Sequence, residues 1–161
     1  MKRFTTRQLT LAAVIAAIYA VLCLLLRPIS FGPVQCRVSE ALTVLPYLVP
    51  STMWGLFVGC FLANLLGGFG ILDMVFGRLA SLFAGWLTSK CKSPFLAPLP
   101  PVVVNALVIG GVLTAAYTGT DGAQPYYFFA IQIFPEQAVA CYGLGLPLLL
   151  LLKRTNVLKI E

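Results

Sequence analysis

The sequence predicts an all-α integral membrane protein, with six spanning helices forming a single transmembrane domain over residues 1–161. Three observations carry this. Hydrophobic residues make up 60% of the chain and charged residues 10%, with a mean hydropathy of +0.95; a soluble domain carries about a quarter charged residues. The apolar residues fall in charge-free runs on the scale of the ~20 residues a helix needs to cross ~30 Å of hydrocarbon. Between the runs, eight of the eleven basic residues gather in three short clusters: Lys2, Arg3 and Arg7; Lys90 and Lys92; Lys153, Arg154 and Lys159. The net charge of +6 is therefore loop punctuation. A nucleic-acid partner would need a basic face, so none is expected.

The first run, 9–26, exceeds a signal-peptide core and meets Arg27-Pro28 instead of a small-residue cleavage site, so it reads as a retained helix. Residues 41–72 contain no charge but would be ~48 Å long as one helix at ~1.5 Å per residue. Pro46 and Pro50 divide this stretch into a short helix, 37–47, and a second, 51–66. Gly67, Gly68 and Gly70 supply a turn, and helix 71–89 follows. The proline-rich stretch 94–101 reads as a loop, with helices 102–117 and 126–152 after it; Pro135 and Pro147 are expected kink sites in the last.

Orientation follows from the basic clusters, because Lys and Arg in short loops stay cytoplasmic. Six crossings place both termini and the loop after the fourth helix on that side; if 37–47 did not cross, the clusters would conflict. Glu40, Asp73, Asp121 and Glu136 then fall toward the outside.

An ionisable group inside a bilayer costs ~2.5–3.5 kcal/mol on insertion scales, so it faces a partner or an aqueous cavity. Arg37 and Glu40, three apart, share a helix face, as do Gln132 and Glu136, four apart. Two readings stand side by side: these groups with Arg78 neutralise one another as structural pairs, or they line an outward-facing polar pocket. Gln35, Asn64, Gln132 and Gln137 in the same half favour the pocket. Asn105 falls toward the cytoplasmic side and reads as structural.

The first helix carries small residues at four-residue spacing, Ala12, Ala16 and Ala20 with Ala13 and Ala17 alongside. Such stripes let helices approach closely, either within the protein or against an external helix. The five cysteines show no CxxC spacing and histidine is absent, so neither a metal nor a cofactor is expected. No phosphate-binding GxxxxGK[ST] loop and no hydrolase motif occurs, so an enzyme is not expected and any uphill work must be driven by another polypeptide or an ion.

The run Phe31-Gly32-Pro33-Val34-Gln35-Cys36-Arg37-Val38-Ser39-Glu40-Ala41-Leu42-Thr43-Val44-Leu45-Pro46 resembles the signature of the QueT family of queuosine-precursor transporters. The resemblance continues through Gly59–Asn64, Gly67-Gly68, Gly70–Gly77 with Asp73, and Glu136, Tyr142, Gly143, Gly145 and Pro147. It implies an S-component-like bundle of an energy-coupling factor (ECF) importer in the bacterial cell membrane. Its partners would be a transmembrane coupling subunit, two cytoplasmic ATPases and the lipid bilayer, and its ligand a 7-deazaguanine such as preQ0, preQ1 or queuine. The alternatives are a stand-alone secondary carrier or an S component for a different heterocycle.

The resemblance also implies that Ala12 and Ala16, with Ala13 and Ala17, dock the coupling subunit. Ser or Thr is commoner in the family where Arg78 stands here, a cation that could alter the pocket. For a guanine-like ring, Glu40 or Glu136 would accept the adjacent N1–H and NH₂ donors as a charge-assisted bidentate pair. Arg37 belongs to the same site; Gln35, Asn64 or Gln132 would serve the ring oxygen and nitrogens, and Asp73 an aminomethyl cation. Tyr47, Trp54, Tyr126 and Tyr127 are available to stack.

Overall fold

The computed structural model describes residues 5–26, 37–67, 71–120 and 124–155. Six helical rods occupy them: α1 (Thr6–Leu25), α2 (Val38–Tyr47), α3 (Thr52–Gly67), α4 (Ile71–Lys90), α5 (Leu99–Tyr117) and α6 (Tyr126–Thr155). Successive rods pack as neighbours from α3 to α6, α1 lies along α3, and α2 sits inside, touching every other rod. α1, α5 and α6 are long and apolar enough to cross a membrane, and α3 is a shorter apolar helix. Many large apolar side chains lie on the outside, among them Leu9, Leu25, Phe83, Ile131 and Val139, as expected of a surface facing lipid rather than water.

Every residue from Ser39 to Pro46 is buried, and α2 is wound as a 3₁₀ helix rather than the expected α-helix. At ~2.0 Å per residue its ten residues reach ~20 Å where an α-helix would reach ~15 Å. The tighter winding is supported locally by the Thr43 hydroxyl, which donates to the Glu40 carbonyl at 2.5 Å.

α1 buries Ile15, Tyr19 and Cys23, one face at four-residue spacing, against Leu56, Cys60 and Ala63 of α3 and Leu42 and Leu45 of α2. The close approach of α1 and α3 depends on glycine: a Cβ on Gly59 would lie 2.9 Å from both the Ala16 carbonyl oxygen and Tyr19 Cβ, and one on Gly55 would run into the Ala12 carbonyl. Of the two readings of the alanine stripe, internal packing holds for part of it. Ala16 is buried and Ala12 half-buried in internal packing, so the open part of the stripe is Ala13 and Ala17.

Two other departures have local causes. α5 begins at Leu99 rather than 102, because Pro100 and Pro101 occupy its first turn, where no intrahelical N–H is needed. α6 does not simply kink at its prolines. Its middle, Val139–Gly145, is a π-helix, closed by the Leu146 N–H donating to the Cys141 carbonyl. Pro147 follows with no N–H to donate, so the change of register sacrifices no hydrogen bond at that residue.

Candidate functional site

Burial of polar side chains singles out one region. Arg37, Ser39, Glu40, Asn64, Asp73, Ser81, Asn105 and Gln137 are each no more than 7% exposed although five different rods or their caps supply them. Buried polar groups are costly unless partnered, and the partners here are specific. The Glu40 carboxylate accepts from the Tyr19 hydroxyl at 2.6 Å on Oε1 and from Asn105 Nδ2 at 3.1 Å on Oε2. Asn105 Nδ2 also donates to Gln137 Oε1 at 3.3 Å, tying α2, α5 and α6 together. Arg37, at the N-cap of α2, pairs with Asp73 in the first turn of α4, with 3.0 Å between Nη2 and Oδ2.

Arg37 and Glu40 border the same crevice, and each has a partner on another rod. Arg37 faces the Asp73 carboxylate, and the Tyr19 hydroxyl and the Asn105 amide, both neutral, donate to the Glu40 carboxylate. Asn64 bridges toward the pair: its Nδ2 donates to the Asp73 backbone carbonyl at 3.3 Å, and its Oδ1 is buried without a hydrogen-bond partner among the described residues.

These groups border a crevice lined by Arg37, Glu40 and Asn105 with Ser81 and Gln137, and walled by Gly77, Ile109 and Ile133. A Cβ on Gly77 would stand 3.3 Å from Asn64 Nδ2 and 3.4 Å from Asp73 Oδ1, so the missing side chain keeps that wall flat. The free space is about 10 Å³, room for about one water.

Of the residues picked out by sequence, Arg37, Glu40, Asn64 and Asp73 lie together here. Gln35 lies outside the described residues. Gln132 and Glu136 are half-buried and do not line the crevice; Gln137 does. The stripe Phe129, Ile133 and Gln137 is the buried face of α6, and the four-residue spacing of its two apolar members signals this, whereas the paired polar groups at 132 and 136 drew attention to the adjacent face. Asn105, read as structural, is a direct partner of Glu40, and Tyr19 was not singled out at all. None of the four aromatics considered for stacking lines the crevice; Trp54, Tyr126 and Tyr127 are exposed on the outside. Arg78 is also outside the crevice lining, its guanidinium lying over Phe57 and Phe61 of α3.

The Arg37–Asp73 pair makes a stability prediction. Removing one partner of a buried pair leaves a charge unpaired and costs about 3–5 kcal/mol, whereas an apolar replacement of both is far better tolerated. Arg37→Met and Asp73→Leu are each expected to lower the unfolding midpoint in detergent strongly, and the double variant to recover most of the loss. A double variant as unstable as the sum of the two would show that the pair is not the unit that matters.

A sequence profile for the family described as QueT transporter matches residues 9–154. The chain is 33% identical over 84 residues to the Queuosine precursor transporter QueT of Lactococcus lactis subsp. cremoris (strain MG1363), an overlap covering 51% of this chain and 49% of that protein. The chain thus spans about half the length of the curated relative it matches. No solved structure matches the chain.

Proposed function

The chain belongs to the QueT transporter family, a family of transporters and not of enzymes, and from that premise we propose that it captures a queuosine precursor from outside the cell and passes it inward. The relative named a queuosine precursor transporter supports the ligand class. Six crossings with both termini cytoplasmic suit the distribution of Lys and Arg between the rods. With no phosphate-binding loop in the sequence, the energy would come from a coupling subunit and two ATPases in an ECF arrangement in the bacterial cell membrane. The coupling subunit would meet α1 on the side of Ala13 and Ala17.

The observation that carries the ligand reading is the Glu40 carboxylate, 2% exposed, with one neutral donor from Tyr19 and one from Asn105 on its two oxygens. A guanine-like edge offers the same two donors, N1–H and NH₂, side by side, and would take the carboxylate as a bidentate acceptor. Ile109, Ile133 and the flat wall at Gly77 would hold the ring faces, in place of aromatic stacking. Asn64 Oδ1 offers an unmet acceptor to a further N–H, and the second oxygen of Asp73 faces Gly77 toward an aminomethyl cation. Gln132 and Glu136, nearer the start of α6, would meet the ligand on its way in. A bicyclic ring is far larger than one water, so binding requires the first half of α6, which carries Ile133 and Gln137, to move away from α2 and α4; the π-helical turn just beyond Gln137 is the place to bend.

Equilibrium binding of the purified protein to preQ0, preQ1, queuine and guanine tests this reading. At least one 7-deazaguanine is expected to bind about tenfold or more tightly than guanine. Equal affinity across the panel, or none, would remove the ligand assignment. Uptake into liposomes that contain this chain alone would instead favour a stand-alone carrier.

A further inference from the structure

Arg78 is the cation that the crevice leaves unused. It lies in the second turn of α4, and its Nε is buried without a hydrogen-bond partner among the described residues. Its guanidinium carbon lies 5.2 Å and 5.7 Å from the ring centroids of Phe61 and Phe57, and among the described residues no acid forms an ion pair with it; Asp73, the acid nearest in sequence, is on Arg37. Aromatic faces offset part of the charge but accept no bidentate hydrogen bonds, so among the described residues Arg78 lacks the oxygen partner that a cation in apolar surroundings requires.

Directly below it, toward the C-terminal end of α4, an apolar groove of about 450 Å³ runs between α3 and α4, lined by Met53, Trp54, Leu79, Leu82, Phe83 and Trp86. Arg78 is not in that lining, but Arg78, Leu82 and Trp86 follow at four-residue spacing on one stripe, which places the cation one turn from Leu82 of the groove. Side chains on an α-helix lean toward its N-terminus. This carries the guanidinium toward the headgroup zone at the start of α4 and leaves the groove pointing into the hydrocarbon. A second external groove, of about 340 Å³ between α4 and α5, is lined by Leu72, Phe76, Val108, Gly111, Val112 and Ala115 with no charged residue. It offers nothing to fix a lipid.

We propose that Arg78 and the α3–α4 groove form a phospholipid site, with the phosphate on the guanidinium and one acyl chain lying along the groove. This inference rests on the membrane-spanning reading of the rods and not on the identity of the transported ligand, and lipid retention and precursor binding can be measured independently. A phosphate supplies the planar bidentate acceptor that guanidinium geometry matches, and an acyl chain matches walls that are almost wholly apolar.

The test is native mass spectrometry of delipidated protein in detergent titrated with dioleoyl phosphatidylglycerol. One lipid per chain is expected to be retained at activation energies that strip the rest. Arg78→Gln should lower the retained fraction about tenfold, Arg78→Lys should keep part of it, and Leu82→Trp, which fills the groove, should lower it as well. Dioleoylglycerol, with the same chains and no phosphate, should not be retained. Equal retention of dioleoylglycerol, or equal retention by wild type and Arg78→Gln, would overturn the site. So would a loss caused by Lys90→Gln in place of Arg78→Gln, since Lys90 lies over Trp86 at the other end of the groove. Should Arg78→Gln not fold, Leu82→Trp carries the test, and its unchanged retention would equally overturn the proposal.

Discussion

Replacing Glu40 with glutamine is expected to weaken binding of a 7-deazaguanine to the purified protein by about 100-fold or more. A hydrogen bond to a charged group contributes about 1.5–3 kcal/mol, and each 1.4 kcal/mol is about tenfold in affinity, so losing two such bonds to one ligand edge accounts for that loss. Glutamine keeps the shape but presents an NH₂ where an acceptor is needed, and that NH₂ would face the Tyr19 hydroxyl or the Asn105 amide, both of which now donate. Tyr19→Phe distinguishes a ligand contact from a structural one. Removing the tyrosine hydroxyl leaves Glu40 Oε1 short of a donor, so stability should fall while affinity holds or rises, because the ligand no longer displaces a competing donor. If Tyr19→Phe and Glu40→Gln lost affinity equally by isothermal titration, the carboxylate would be a strut within the protein and not the receptor of the ring.

A methyl group on Gly59 should be among the most damaging single changes in the chain. The added Cβ of Gly59→Ala would stand 2.9 Å from the Ala16 carbonyl oxygen and from Tyr19 Cβ, atoms of the α1 backbone or anchored to it, so no side-chain rotation relieves the clash. Overpacking of this kind costs about 1–3 kcal/mol and occasionally more; we expect the upper end. Because Tyr19 is in the same contact, α1 cannot withdraw without pulling the hydroxyl from Glu40, so precursor affinity should change as well. Gly143→Ala is the matched control. Nothing lies within 4 Å of a Cβ there, and alanine is the better helix former. Thermal unfolding followed by the fluorescence of Trp54 and Trp86 should separate the two, and equal midpoints would refute the close-contact account of the α1–α3 interface.

The all-helical character of the chain was legible in the sequence because its signals are local. Charge-free runs, the prolines and the basic clusters indicate where chain can sit in lipid and where it must leave it. The errors came where a local signal has two meanings. Pro100 and Pro101 read as loop residues, yet the first turn of a helix has no use for their missing N–H. The alanine stripe left packing within the protein and docking of an external helix both open, and Gly55 and Gly59 across the interface claim Ala12 and Ala16 for internal packing. The site was legible in part: buried acids and amides in apolar runs demand partners, which singled out Glu40, Arg37, Asn64 and Asp73, but which partner each would find depends on residues 9 to 65 positions away.

Composition and spacing alone determined that this is an all-helical chain for a membrane, with acids embedded in it that need partners. The tertiary structure decided how each rod is rotated about its axis. That rotation is set by packing, since the apolar stripe Phe129 and Ile133 turns inward and brings Gln137 with it while Gln132 and Glu136 go to the adjacent face. A helix has no preferred face in lipid until a neighbour is present, so the partners of Glu40 could be read only from the assembled bundle.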